Sequence, residues 1–336
     1  MPTKLGAPVP NDLWKDPKQL AEFLSALEEM GYNYMSYGDH VLGADPKGRD
    51  KWRPYFGKAA LFVRSDAHFE PFVRFAYLAA ITKTLEFSTG ILIMPQRQTA
   101  LVAKQAAEID VMSNGRLRLV PAVGWNDVEF EALGVDYHQR GAIMDEQVEV
   151  LRLLWTKEVV NYKGKYHTIT NAGINPLPIQ KPIPIWFGGE TEPVLRRTGT
   201  VGDGWFPWYP YFNKGRIKRD WATIQAYAKK AKRDPKKIGF QGATYFKDTR
   251  FEPQPGDRVN PARNIDEAVE EAHVFKELGA THYSVSALGF GAGGSSDLEA
   301  NANRAIGKST QRRASLKSDT LLEGLRKFKE QVGKKF

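Results

Sequence analysis

The segment from Leu85 to Gly124 constrains the fold of this chain more than any other stretch. An apolar, β-branched run is interrupted by Gly90, a helical pattern follows, and Ser-Asn-Gly ends that pattern before a second apolar run, Arg116 to Val123. This order predicts a βαβ unit, whose right-handed crossover makes its two strands parallel neighbours. Ligands of such sheets bind at the carboxyl ends of the strands, so we expect a site at residues 90–95 and 124–126.

The alternation of strand and helix patterns continues along the 336 residues, of which 42% are hydrophobic. A chain of this size can bury one large core or form two domains. Because the alternation is continuous, we predict eight strands that are each followed by a helix, which is a single (β/α)8 TIM barrel spanning residues 1–336. A doubly wound sheet is the alternative, but the sequence has no clear second half with its own nucleotide fingerprint.

Three segments depart from this alternation. Residues 41–70 are polar and irregular, and we interpret them as a candidate substrate loop. An inserted β-hairpin is predicted after the fourth helix, at about residues 157–182. The Gly- and Ser-rich stretch at about 288–317 is interpreted as a flexible loop. It contains the spacing Gly-x-Gly-x-x-Gly, but no βαβ continuation follows, so a dinucleotide site is not expected there.

Cysteine is absent, which excludes disulfide bonds, thiolate nucleophiles, iron–sulfur clusters and Cys-based zinc sites. Any redox chemistry must therefore come from an organic cofactor. The six histidines form no His-Glu-x-x-His motif, so we expect no metal site. A hydrolase triad has no local support, because no Gly-x-Ser-x-Gly elbow occurs.

The formal charge of +9 has three interpretations. In descending order of preference they are a solvated basic surface, an anionic small ligand, and nucleic acid, for which no recognised motif accompanies the charge. No apolar run approaches the roughly 20 residues of a membrane span, and the N-terminus lacks a signal-peptide layout. We therefore expect a soluble, cytoplasmic protein that acts on a small-molecule substrate without nucleic-acid or membrane partners. The sequence leaves monomer and homodimer open.

His40 is the most informative single residue. It follows Asp39 at the carboxyl end of the predicted strand Tyr32–Tyr37, which is where barrels place catalytic residues. Imidazole titrates near neutrality, so His40 can exchange a proton with a substrate while Asp39 orients its ring. A purely structural histidine is the alternative.

Glycines mark further candidate positions. Gly90 interrupts a strand and predicts a bulge, which on its own does no more than turn the barrel wall. Gly188, Gly189 and Thr191 lie where a strand gives way to a helix, and free N–H groups there can bind phosphate, although an ordinary tight turn fits equally well. Arg140 supplies either a fixed cation near this site or an exposed helix start.

The strongest motifs lie in and around the βαβ unit. They are Ser88-Thr89-Gly90-Ile91, Ala103-Lys104-Gln105, and Gly115-Arg116-Leu117 leading to Val123-Gly124-Trp125-Asn126. With these motifs the chain resembles the luciferase-like flavin and deazaflavin oxidoreductases, and within them the branch that uses the deazaflavin coenzyme F420. The resemblance extends over most of the chain, from Leu5 to about Gly204, and implies a (β/α)8 barrel.

The resemblance also implies roles for individual residues. The pair Asp39-His40 would contact the cofactor ring and the substrate, with His40 as the catalytic residue. A non-proline cis peptide bond between Gly90 and Ile91 would brace the back of the ring. The expected cofactor-binding residues are Asp39, Thr89, Gly90, Ile91, Gly124, Trp125, Asn126, Arg140, Gly188, Gly189 and Thr191.

One departure limits the implied reaction. The sugar-phosphate dehydrogenases of this family have Trp four residues beyond the histidine, where this chain has Ala44. Oxidation of a sugar phosphate is therefore in doubt, and Trp52 or Trp125 is the candidate for an aromatic wall. The resemblance implies hydride transfer between coenzyme F420 and an unidentified small organic substrate. An FMN-dependent monooxygenase that uses O2 is the main alternative, and a non-catalytic flavin-binding barrel is the third.

Overall fold

The computed structural model describes residues 2–7, 9, 13, 16–45, 47, 49, 68–208, 212–243, 265–285 and 318–333. The chain divides into two compact units. Unit 1 is drawn from residues 1–36, 49–61 and 186–336, and unit 2 from residues 37–48 and 62–185. The predicted flexible loop at 288–317, Trp52 and most of the predicted substrate loop lie outside the described residues.

Strands and helices alternate along the described chain. The strands are β1 (Lys4–Ala7), β2 (Tyr34–Tyr37), β3 (Glu86–Thr89), β4 (Leu92–Ile93), β5 (Leu117–Arg118), β6 (Pro121–Ala122), β7 (Val160–Lys163), β8 (Thr168–Ala172), β9 (Trp186–Gly188), β10 (Gly204–Phe206), β11 (Gly239–Ala243) and β12 (His282–Ser284). The helices are α1 (Pro17–Glu29), α2 (Pro71–Ile81), α3 (Thr99–Met112), α4 (Asp127–Ala132), α5 (Arg140–Thr156), α6 (Glu192–Thr200), α7 (Lys214–Lys230), α8 (Ile265–Glu277) and α9 (Ser318–Gly333).

Unit 1 contains parallel strands in the order β2, β1, β12, β11, β10, β9. Its core includes the stacked rings of Trp205, Trp221 and Phe240, which come from two strands and a helix. Gly204 and Gly239 make room for the Trp186 indole, because a Cβ at either position would lie within 2.2 Å of that ring. The aromatic core therefore depends on glycines inside the strands.

Unit 2 contains the βαβ unit predicted from the sequence. Strand β3 pairs in parallel with β5, β4 pairs in parallel with β6, and α3 connects them. Each predicted strand is thus split into two short strands, and the first split falls at Gly90. In the described part of the chain, these two parallel pairs of unit 2 accompany the six parallel strands of unit 1.

The inserted hairpin in unit 2 is formed by the antiparallel strands β7 and β8, as predicted. The Glu146 carboxylate on α5 accepts hydrogen bonds from the backbone N–H groups of Lys165, Tyr166 and His167. The His167 ring in turn bonds Glu146 through Nδ1 and the Thr99 hydroxyl through Nε2. These bonds fix the turn of the hairpin to two helices.

Two helices differ from the sequence-based expectation. Helix α4 was not predicted, because a single short helix of six residues shows little apolar periodicity. The sequence pattern predicts a helix from Trp221 to Lys230, whereas α7 begins at Lys214, because the Asn213 side chain caps it there by accepting the Arg216 N–H. Within the described residues no helix is long and apolar enough to cross a membrane.

Candidate functional site

Asp39 lies just beyond the end of β2 and is almost completely buried, with 2% of its surface exposed. Arg97 donates to both of its oxygens, from Nη2 to Oδ1 at 2.7 Å and from Nε to Oδ2 at 3.1 Å. The Ile93 N–H donates to Oδ2 at 3.0 Å. Burial raises the pKa of Asp39, and the Arg97 guanidinium opposes that shift. The hypothesis that Asp39 orients His40 is therefore wrong, because its carboxylate is held by Arg97 and Ile93.

Arg97 joins this carboxylate to the start of α2. Its Nη1 donates to Glu70 Oε1 at 2.9 Å, and Glu70 also caps α2 by accepting the Val73 N–H at 2.7 Å. Charge-assisted, bidentate arginine bonds of this kind are stronger than neutral ones and fix geometry. The segment that bears Asp39 is therefore tied to α2 through one guanidinium.

The partner of His40 is Glu129, which lies on α4 and is fully buried. His40 Nδ1 lies 3.1 Å from Glu129 Oε2, and Glu129 Oε1 accepts the backbone N–H of Val41. The His40 ring also meets the ring of His68 edge-on at a centroid distance of 5.0 Å and that of Trp125 at 5.7 Å. His40 thus sits in an aromatic cluster with its Nδ1 anchored.

His68 was not among the predicted site residues, although it lies within the predicted substrate loop. Partial desolvation of the His68 ring, part of which stays exposed, lowers its pKa to about 4, with the nearby charges of His40 and Arg74 adding to the shift and Glu129 opposing it. The ring is therefore neutral near pH 7 and can offer one donor and one acceptor. His68 adds a second imidazole to the surroundings of His40 without adding charge.

The predicted cis peptide bond between Gly90 and Ile91 is confirmed. The Gly90 N–H donates to the Tyr37 carbonyl at 2.7 Å, and a Cβ at Gly38 would lie 3.6 Å from the Gly90 oxygen. The end of β3 therefore lies directly beside the chain that leads to Asp39. The Thr89 hydroxyl is buried and accepts the Val120 N–H at 2.6 Å, so it supports the neighbouring strand.

Gly124 is required by both its backbone and its surroundings. Its φ of 77° lies in the region that favours glycine, and a Cβ would lie 2.5 Å from Ile93 Cγ2. The Arg140 Nε donates to the Gly124 carbonyl at 3.3 Å, and the guanidinium lies 3.7 Å from the centre of the Tyr137 ring. Arg140 is thus both the first residue of α5 and a support for the chain at Gly124.

Asn126 is fully buried beside this turn. Its Nδ2 donates to the Leu42 carbonyl at 3.1 Å, whereas its Oδ1 has no hydrogen-bond partner within the described part of the chain. A buried acceptor without a partner costs about 1–3 kcal/mol, so such an atom is a candidate for a ligand donor. The predicted residues of unit 2 thus form one connected set. The Trp125 ring contacts the His40 ring, and Asn126 donates a hydrogen bond to Leu42, which follows His40 in the chain.

Gly188, Gly189 and Thr191 belong to unit 1. Gly189 has a φ of 114°, donates its N–H to the Phe206 carbonyl at 3.0 Å and accepts the Trp205 Nε1–H at 2.7 Å. The N–H of Gly189 is therefore occupied within unit 1. Thr191 is the N-cap residue of α6, and its side chain makes no capping bond.

Glu190 lies between these residues and is half-buried. Burial raises the pKa of its carboxyl to about 7, the Arg216 charge opposes the shift, and Asp220 adds to it. Since the folded-state pKa is raised, the folded protein binds the extra proton more tightly than the unfolded chain. Stability should therefore fall as the pH rises from about 4.5 to about 7.

Replacing Glu190 with glutamine should remove this pH-dependent loss. We expect Glu190→Gln to raise the free energy of unfolding by about 1–2 kcal/mol at pH 8, a value reduced for partial solvent screening, and to have almost no effect at pH 4. Urea unfolding at the two pH values measures the difference. Glu330→Gln, at an exposed position on α9, is the control and should change neither value. An equal effect of Glu190→Gln at both pH values would contradict the assignment.

No group of three or more His, Asp or Glu residues suited to a metal ion occurs in the described part of the chain. The chain belongs to the luciferase-like monooxygenase family, whose model matches residues 2–255. The members of this family are oxidoreductases and monooxygenases.

Curated relatives match a part of the chain. The uncharacterized protein Rv0940c of Mycobacterium tuberculosis is 35% identical over 182 residues, which cover 54% of this chain and 62% of the relative. Pyrimidine monooxygenase RutA of Allorhizobium ampelinum is 32% identical over 160 residues, which cover 46% of this chain and 42% of RutA. The matched segments thus span less than two thirds of these relatives.

Solved structures confirm the TIM-barrel fold predicted from the sequence. An F420-dependent secondary alcohol dehydrogenase in complex with an F420-acetone adduct has a TM-score of 0.65 at 18% identity, covering 85% of this chain and 93% of that one. Riboflavin lyase with modified FMN and riboflavin has a TM-score of 0.65 at 13% identity, covering 96% of each chain. At these identities the likeness concerns the fold.

Proposed function

We propose that this protein is an oxidoreductase that transfers a hydride between coenzyme F420 and a small organic substrate, with His40 exchanging the accompanying proton. One observation carries the proposal. The buried Glu129 lies 3.1 Å from His40 Nδ1 and holds the ring beside Trp125 just beyond the end of β2, where barrel enzymes place residues that exchange protons with a substrate. Hydride chemistry needs such a proton exchanger, because each hydride that moves leaves or requires a proton.

The residues of unit 2 fit a planar cofactor with a polar edge. Asn126 Oδ1 is a buried acceptor that has no partner among the described residues, which suits a ring N–H donor. Gly90 has no side chain, and Trp125 and His40 supply aromatic surface nearby. Asp39, Thr89, Gly90, Ile91, Gly124, Trp125, Asn126 and Arg140 would hold the cofactor.

The cofactor would supply hydride acceptance and donation, and this chain would supply orientation and a proton. The Asp39–Arg97 pair fixes the backbone next to His40, since both carboxylate oxygens are bonded. His40 would take up or return the substrate proton while Glu129 holds its ring at Nδ1. His68 remains neutral near pH 7 and contributes hydrogen-bonding capacity beside the exchanging ring.

A cofactor titration tests this choice. Coenzyme F420 has a polyanionic tail, and the chain carries a formal charge of +9, so we expect F420 to bind more tightly than FMN and binding to weaken as salt rises. Fluorescence titration of the purified protein with each cofactor at low and high ionic strength measures both effects. Binding of FMN at micromolar or lower concentration, with no binding of F420, would overturn the proposal.

An FMN-dependent monooxygenase is the second candidate function. The similarity to pyrimidine monooxygenase RutA, at 32% identity over 160 residues, favours it. It predicts FMN binding and oxygen consumption that depends on a reduced flavin and a substrate. Oxygen-electrode measurements with reduced FMN distinguish this activity from hydride transfer, for which oxygen consumption is not expected.

A further inference from the structure

The geometry points to Glu129 as the positioning residue of His40. We propose that its buried carboxylate holds His40 in the form protonated at Nδ1 and stabilises the positive charge that the ring acquires when Nε2 takes up a proton. The inference rests on the proposed function of His40. Helix α4, which sequence patterns do not predict, would thus carry the residue that determines the tautomer of His40.

The Glu129 carboxylate makes two contacts, one through each oxygen. Glu129 Oε2 lies 3.1 Å from His40 Nδ1, and Oε1 accepts the N–H of the next residue, Val41. One carboxylate therefore fixes both a ring and the backbone that carries it. With Glu129 as a carboxylate, which only accepts hydrogen bonds, His40 is the donor from Nδ1 in this contact.

The charges around His40 make Glu129 the group that would compensate a positive charge on its ring. Glu129 is fully buried, and within the described residues no Lys or Arg pairs with it. Two other charged groups of the described chain near His40 have partners of their own, since Asp39 is paired with Arg97 and Arg74 stacks over the rings of Tyr37 and Phe69. The neighbouring His68 stays neutral near pH 7. A positive charge on His40 would therefore gain its main compensation from Glu129.

Substitution of Glu129 by glutamine distinguishes a positioning role from a packing role. A glutamine at position 129 has nearly the same shape and volume but offers one acceptor atom and one donor group. It can accept from Val41 or from His40 Nδ1, but not from both. Glu129→Gln should therefore alter the protonation of His40 while keeping the packing of α4.

The histidine ring itself provides the readout, so no substrate is required. Nitrogen-15 NMR of the full-length, histidine-labelled protein distinguishes Nδ1–H from Nε2–H tautomers, and a spectrum of His40→Asn identifies the His40 signals among those of the six histidines. We expect Nδ1–H in the wild type. In Glu129→Gln we expect loss of that tautomer, because the side-chain amide can donate to Nδ1 where the carboxylate accepts from it. Glu131→Gln, at an exposed position on the same helix, should leave the tautomer unchanged.

Two outcomes would overturn the inference. They are an Nε2–H tautomer of His40 in the wild type, and unchanged His40 signals in a folded Glu129→Gln protein. If Glu129→Gln does not fold, the wild-type tautomer and Glu129→Asp, whose shorter side chain retracts the carboxylate, decide the question. The NMR experiment is made without a cofactor. A failure of F420 binding would therefore contradict the proposed function but would not change the result of the NMR experiment.

Discussion

Replacing His40 with alanine is expected to lower turnover by about 10²–10⁴-fold while changing cofactor affinity by no more than a few-fold. The loss follows from removing the group that exchanges the substrate proton. Cofactor affinity should persist because the other residues of the connected set, including Gly90, Trp125 and Asn126, remain in place. Single-turnover and steady-state kinetics, together with cofactor titration, measure the two effects separately.

His138→Ala is the matched control, because His138 is exposed at the end of a 3-10 turn and is not part of the proposed site. It should retain full turnover. Unchanged turnover of His40→Ala on a true substrate would return His40 to a structural role. A large loss of cofactor affinity with unchanged kcat would instead make His40 a binding residue.

Replacing Arg97 with leucine is expected to destabilise the protein by about 3–5 kcal/mol. The change leaves the Asp39 carboxylate, which is 2% exposed, without its cation and without two hydrogen bonds. Chemical denaturation at pH 7 measures the loss of unfolding free energy. Lys18→Leu, which removes one partner of an exposed ion pair with Glu22, is the control and should cost less than about 1 kcal/mol.

The free energy of unfolding lost in Arg97→Leu should depend on pH. Burial raises the pKa of Asp39, and removal of Arg97 takes away the main opposing charge, so the pKa should rise further. A raised carboxyl pKa reduces stability above the unfolded value of about 4, and the penalty should shrink as the pH falls toward that value. Asp39→Asn in the Arg97→Leu background should recover part of the stability at pH 7. A loss that does not depend on pH, with no recovery in the double variant, would contradict the charge argument.

Sequence reasoning located the βαβ unit, the interruption at Gly90 and the histidine at the strand end, because each has a local signature, whereas the cis bond after Gly90 was implied only by the family resemblance. A glycine that breaks a β-branched run and a histidine that ends one are visible without any partner. The partners themselves were missed. Glu129 lies 89 residues from His40 and Arg97 lies 58 from Asp39, so nothing in the local pattern connects them.

The misplaced role of Asp39 has a simple physical cause. Successive residues of an extended chain point their side chains to opposite sides, so a carboxylate that directly precedes a histidine is poorly placed to reach its ring. Asp39 accordingly turns to Arg97 and the Ile93 N–H, whereas His40 turns to Glu129. The adjacency of Asp39 and His40 in the sequence therefore does not predict which residues each of them bonds.

The bonds of Arg97 have a consequence for the two ends of residues 41–69. One guanidinium bonds Asp39, just beyond β2, and Glu70, the residue that caps α2. The residues that flank this stretch on both sides are therefore held by a single side chain that lies outside it. Loss of that side chain should release both ends at once, whereas a substitution within the stretch leaves the two anchors in place.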